Sequence, residues 1–314
     1  MDAKTVPESK RLSRKSRWKL FKNDIGLYVM LAFPLLIALV FRYIPIGALI
    51  ISFKNYNFVQ GVFGSPWVGL KWFEKFLTSA KFGQIFWNTL KISLYSLIFS
   101  FPCPIILALS LNELRSEKFK RVVQTASYLP YFVSTVIVIG MMNQLLSPTT
   151  GIINMIITAL GGEAVNFITE PRWFVSLYII SGIWSGVGYS SILYLSALTT
   201  ISQELYEAAV VDGAGRWKKM WYITLPGILP TILILLLMNL GTLLNVGYEK
   251  AYLMQNDLNI KTSEIIGTYV YKQGLIQLNY SYSSAVGMFQ SVLNLILVTL
   301  FNTISKKTAD ISLW

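Results

Sequence analysis

Six long apolar runs, set apart by short polar stretches, constrain this chain more than any other feature. A helix rises about 1.5 Å per residue, so roughly 20 apolar residues are needed to cross a hydrocarbon core of about 30 Å. The runs Ile25 to Phe41, Ile85 to Leu111, Val122 to Leu146, Trp173 to Leu198, Leu225 to Val246 and Ala285 to Ile304 fit that requirement, and the first has room to continue through Pro45 to Phe53. With 54% apolar and 13% charged residues, the composition is that of a chain facing lipid. The expected fold class is therefore all-α integral membrane, with about six transmembrane helices. Pro34, Pro102, Pro104 and Pro130 fall inside the runs and predict kinks, since each removes a backbone donor.

Loop charge gives an expected orientation. Eight of the 27 basic residues precede Asn23, namely Lys4, Lys10, Arg11, Arg14, Lys15, Arg17, Lys19 and Lys22. Together with the loops near 112–121 and 199–224 and the final tail they make 17 Lys and Arg, against eight in the alternate loops. Both termini are thus expected in the cytoplasm, beside anionic lipid. The domain division that follows is a basic tail over 1–24, a membrane domain over 25–305 and a second tail over 306–314.

Several function classes are disfavoured. There is no histidine, which removes His-based triads and His-ligated metals. The single cysteine, Cys103, lies in an apolar run and has no intramolecular partner. The net charge of +12 falls between apolar runs rather than on a basic domain with stacking aromatics, so nucleic acid is not an expected partner. No Gly-x-x-x-x-Gly-Lys-Ser/Thr stretch occurs, so the chain lacks a phosphate-cradling loop of its own.

The loop over about 200–226 differs from the rest. Tyr206, Val210, Ala214, Trp217 and Trp221 recur at helical spacing, Thr200 and Gln203 have the spacing of a capping box, and Gly213 marks a turn between two short helices. Composition alone leaves two readings equal: a helix lying on the inner leaflet, or a helix that docks on a partner. The residue pattern goes further. Glu207, Ala208 and Ala209, then Gly213, then Ile223, Leu225 and Pro226 fill every keyed position of a motif found in permease subunits of binding-protein-dependent ATP-binding-cassette importers, and the chain resembles that family. The stretches 64–70, 120–125, 128–130 and 268–271 resemble its oligosaccharide and polysaccharide branch, related to maltose-type permeases.

The resemblance implies the type I importer permease fold, with the segment as a cytoplasmic coupling helix resting on an ATPase subunit. Glu207, Ala208, Ala209, Asp212, Gly213, Trp217, Ile223, Leu225 and Pro226 would form the contact. It implies two ATP-binding subunits that use ATP and Mg, a second permease subunit in a heterodimer, and an extracellular solute-binding protein that delivers an oligosaccharide. This chain itself would bind no cofactor and be no enzyme. Polar groups inside spans are costly unless partnered or used, so Asn239, Asn245, Tyr248, Glu249, Gln290 and Asn294 are the expected substrate pathway, each with an interhelical hydrogen bond as the competing role. A secondary transporter driven by ions is the alternative, disfavoured by the scarcity of carboxylates in the spans; a membrane enzyme would need a nucleophile and base that are not visible.

Overall fold

A chain with so many apolar runs has one economical way to satisfy its backbone in lipid, which is to keep the hydrogen bonds within helices. The computed structural model describes residues 24–309 and Ser312, so the basic residues before Asn23 and positions 310, 311, 313 and 314 of the final tail lie outside it. Its principal helices are α1 (Ile25–Phe53), α2 (Lys71–Leu77), α3 (Phe82–Asn112), α4 (Glu117–Tyr128), α5 (Thr135–Leu145), α6 (Ile152–Ala159), α7 (Phe174–Leu198), α8 (Gln203–Val211), α9 (Arg216–Gly241), α10 (Tyr248–Met254), α11 (Ile266–Tyr271) and α12 (Tyr280–Ala309). Among the described residues, strand pairing is limited to one bridge, Lys54 to Trp67.

Four of the six expected spans are continuous helices long and apolar enough to cross a membrane: α1, α3, α9 and α12. Two depart from expectation. The run Val122 to Leu146 is not one straight span, because the helix over Glu117–Phe132 meets α5 at 102°. Pro130 cannot donate, Val133 and Ser134 are extended, and the Ser134 hydroxyl accepts from Ile137 N to start α5 afresh. The run Trp173 to Leu198 does form a single helix, α7, but its six serines and three glycines make it less apolar than a span that stands alone in lipid. It is shielded by its neighbours, packing against α3, α4, α5, α9 and α10.

The prolines act through a recurrent device. Pro45, Pro102 and Pro226 each stand two residues after a π turn, at Leu39–Tyr43, Ser96–Ser100 and Met220–Thr224. A proline leaves the carbonyl four residues earlier without its donor and crowds it. That carbonyl belongs to Phe41, Ile98 or Tyr222, the middle residue of each widened turn. The helices bend there without breaking.

α1 stands apart from the bundle. None of its residues from Ile25 to Ile50 is buried, and its end at Leu49–Phe53 packs on α12 and α2 while Phe53 stacks on Trp67. The remaining core has three parts. Ile92, Ile139, Phe174, Ile179, Ala251 and Ile265 form one cluster; Phe76, Ile85, Ile266, Tyr269, Tyr282 and Val286 form another. These two gather the segments over 54–81, 147–172 and 247–279 at one end, where Asn88 Nδ2 donates to Lys261 O and Glu264 O, and Asn259 Nδ2 to Ile168 O. The third cluster, Ala108, Tyr194, Leu198 and Ile228, closes the opposite end beneath the 199–224 loop.

Close helix approach is concentrated at Gly188, where a Cβ would overlap the Ser127 carbonyl of α4, whereas Gly140 in α5 has open space around its Cβ position. Gly188→Ala is expected to lower stability by about 1–3 kcal/mol through overpacking, while Gly140→Ala gains up to about 1 kcal/mol from helix propensity. Thermal unfolding of the purified chain in detergent, read by tryptophan fluorescence, checks the opposite signs.

Candidate functional site: a cavity and a motif-bearing loop

Hydroxyls and amides in the spans should collect where helices are hidden from lipid, and they do. α3, α7 and the end of α9 line a half-open, largely apolar cavity of about 590 Å³ into which several of these groups point. One wall carries Ser93, Ser96 and Ser100 from α3, the π turn at 96–100 being part of it. A second carries Tyr178, Tyr189, Ser190 and Tyr194 from α7, and a third carries Asn239, Thr242, Asn245 and Gly247. None of the lining residues carries a formal charge.

The individual groups are prepared for polar contacts. Ser93 Oγ is buried and has no protein partner. Asn239 Nδ2 donates to Leu235 O at 2.8 Å, which leaves its carbonyl oxygen as an acceptor. Asn245 is oriented the other way, since its Oδ1 accepts from Gln290 Nε2 at 2.9 Å and from Asn294 Nδ2 at 3.0 Å, leaving its own amide as donor. Tyr189 is held by a parallel stack on Tyr131 with centroids 3.9 Å apart, so the turn that breaks the third run supports the cavity wall.

The six residues expected to form a substrate pathway therefore separate. Asn239 and Asn245 line the cavity. Gln290 and Asn294 lie behind it: besides fixing Asn245, they bind Leu244 through its O at 2.6 Å and its N at 3.1 Å, so for them the interhelical role prevails. Tyr248 stacks on Tyr271, which Tyr252 also meets edge-on, and Glu249 is exposed; neither Tyr248 nor Glu249 reaches the lining. Of the other loop tyrosines, Tyr269 and Tyr282 are buried and share a hydrogen bond at 3.0 Å, which gives them a core role. The serines and tyrosines of the lining were missed by sequence reasoning. Their signal was the spacing of Ser93, Ser96 and Ser100, which falls on one helical face of an otherwise apolar run.

A charged group lies against the lining residue Tyr178. Lys250, on α10 and outside both α9 and α12, has its Nζ 2.6 Å from Tyr178 O and 4.3 Å from the Tyr178 ring centroid. Burial pushes its ammonium down to about 8.

At the other end of α9 the 199–224 loop takes the expected two-helix form with different details. α8 ends at Val211, Gly213 adopts φ +72°, and α9 begins at Arg216. The Thr200 and Gln203 capping box is not formed: Ser202 is the cap, accepting from Glu204 N at 3.3 Å, while Thr200 donates back to Ala197 O. Because the helix stops, the stripe from Tyr206 to Trp221 is not a single face. The Tyr206 and Thr224 hydroxyls meet at 2.9 Å, whereas Val210, Trp217 and Trp221 are exposed. Glu207, Ala208, Asp212, Gly213 and Pro226 are exposed too, while Ala209, Ile223 and Leu225 are half-buried. A rigid turn thus displays charge and apolar surface together, backed by anchors.

Comparison with known proteins agrees with this arrangement. The chain is 44% identical to Protein LplB of Bacillus subtilis over 286 residues, covering 91% of this chain and 90% of that protein. It is 44% identical to the polygalacturonan/rhamnogalacturonan transport system permease protein YteP of the same organism, covering 90% and 88%. It also superposes on the crystal structure of a bacterial ABC transporter involved in the import of the acidic polysaccharide alginate, with TM-score 0.86, 40% identity and 93% and 99% coverage. Residues 100–310 match the model of the binding-protein-dependent transport system inner membrane component, and with these relatives the chain belongs to that family of ABC importer permeases.

Proposed function

We propose that this chain is one of two related permease subunits of an importer that carries an oligosaccharide across the bacterial cytoplasmic membrane by alternating access. The observation that carries the reading is a largely apolar cavity set with uncharged hydroxyls and amides and joined by one helix to the loop that bears the family's motif. Sugar hydroxyls donate and accept at once, and Ser93, Asn239 and Asn245 offer both capacities around a space the size of a small ligand site. The relatives named for polygalacturonan and alginate transport support the same class of cargo. A related crystal structure, of a bacterial alginate ABC transporter in complex with an alginate pentasaccharide-bound periplasmic protein, supports delivery by a solute-binding protein.

In this reading both termini and the 199–224 loop face the cytoplasm, and ATP and Mg belong to two partner ATPase subunits. Glu207, Asp212 and Trp217 around the Gly213 turn dock on one of them. Closure of the ATPases on nucleotide pulls α8, and the pull reaches α9 through the chain and through the Tyr206 to Thr224 contact. α9 spans 26 residues, about 39 Å, and carries Asn239 near its far end. Moving its base therefore moves a wall of the cavity, and a second permease subunit supplies the opposing half.

Glu207→Lys and Gly213→Asp are expected to reduce ATP-driven uptake by about tenfold or more with normal membrane insertion, since one inverts a docking charge and the other forces a side chain onto φ +72°. Uptake at the wild-type rate in membrane vesicles would sink the docking assignment. Asn239→Leu and Asn245→Leu are expected to lower substrate-stimulated ATPase activity of the assembled importer, and an unchanged response would remove them from the pathway. Asn294→Leu should weaken the same response less, and should also cost about 1–3 kcal/mol of stability by leaving Leu244 N unpaired.

A further inference from the structure

The neutral lining of the cavity makes a charge held against one of its residues conspicuous. Lys250 Nζ lies against α7 at Tyr178 and Gly182, where a Cβ on Gly182 would come within 3.0 Å of it. Tyr178 lines the cavity, as do Tyr189 and Leu193, which follow Gly182 by seven and eleven residues. Those intervals place all four on one face of α7. The ammonium therefore rests on the stripe that continues the cavity wall. The segment that carries Lys250 is tied to the same place, because Gly247 lines the cavity and Tyr178 OH donates to its carbonyl at 3.5 Å.

Nothing in the described residues balances this charge. Their two ion pairs are Arg172 with Glu170 and Lys272 with Glu264, and neither includes Lys250. Glu264 is further engaged by Thr268, and Glu249, next in sequence to Lys250, is exposed. A carbonyl and a ring face compensate a desolvated ammonium only in part, and burying such a group without an anion is expensive. If the role were only to bind Tyr178 O, an uncharged amide would serve at lower cost. The Tyr178 carbonyl takes one of the three ammonium protons and leaves two for an incoming acceptor.

We infer that the cargo is an anionic oligosaccharide bearing carboxylates, and that Lys250 is the residue that selects it from beside Tyr178. This rests on the oligosaccharide reading above and adds the sign of the charge. A carboxylate drawn over Tyr178 meets an ammonium already stripped of water, where attraction is stronger than at an exposed surface. Gly182 is the complementary feature, since a Cβ there would come within 3.0 Å of the ammonium and narrow its place on α7.

The test uses the assembled importer with its binding protein in proteoliposomes, with trigalacturonate and its fully methyl-esterified, uncharged form as probes. The wild type is expected to take up the acid in preference to the ester. Lys250→Gln should lower uptake of the acid by about tenfold or more while uptake of the ester stays within about twofold, and Lys250→Arg should restore most of the preference. Equal loss of both probes in Lys250→Gln, or no loss of either, would overturn the inference and leave an oligosaccharide importer standing. Wild-type uptake of the ester equal to that of the acid would also overturn it. Uptake of no oligosaccharide by the wild type would overturn the underlying reading as well.

Discussion

The bilayer offers no water to an unpaired backbone group, and the three prolines that follow π turns show how this chain lives with that constraint. Each removes one donor from a helix that still has to cross, and each is preceded by a widened turn rather than a break. Two of these turns lie where shape matters most. The one at Ser96–Ser100 is part of the cavity wall, and the one at Met220–Thr224 lies near the base of α9, just after the Gly213 turn. A locally wider helix bends more easily than an ideal one, so the prolines provide flexible points in otherwise stiff rods.

A second dependence runs through α7. Its serines, glycines and tyrosines suit a helix surrounded by protein, and they would be poorly placed in direct contact with lipid. Gly188 lets α4 approach to backbone contact, and the Pro130 break then delivers Tyr131 onto Tyr189. The bend of 102° that disrupts the third run is thus repaid by a supported cavity wall. Polarity in α7 and irregularity in its neighbour are parts of one solution.

The same logic explains what the sequence made legible. α1, α3, α9 and α12 could be read because hydropathy reports directly on a helix that faces lipid over much of its surface. α7 was found by length, but its burial was not, because serine and glycine count against a span whichever way they point. Pro130 announced a kink, whereas a full break depended on Val133 and Ser134 turning extended, which no local rule demanded. Gly213 was readable because few residues other than glycine accept φ +72°, and its place in the motif named its role. The amides were only half legible. Composition shows that Asn239, Asn245, Gln290 and Asn294 sit in spans, but only packing decides that the first two face the cavity and the last two hold Asn245.

The loop that carries the motif is clamped at both ends, and this decides what a force on it can do. Ile201, just before α8, packs against Gly227 so closely that a Cβ there would sit 2.7 Å from its Cδ1. Tyr206 is tied to Thr224, and Ile223 and Leu225 are partly covered. The segment from Ile201 to Tyr206 is thus held against the base of α9, where the π turn beside Pro226 lies. Beyond that turn the helix runs on past Pro230 to Gly241, three residues from Leu244, which Asn294 and Gln290 fasten to α12. The proline inside this stretch is a second point at which the helix can yield, and it falls between the two fastenings, on the stretch that carries Asn239 to the cavity wall.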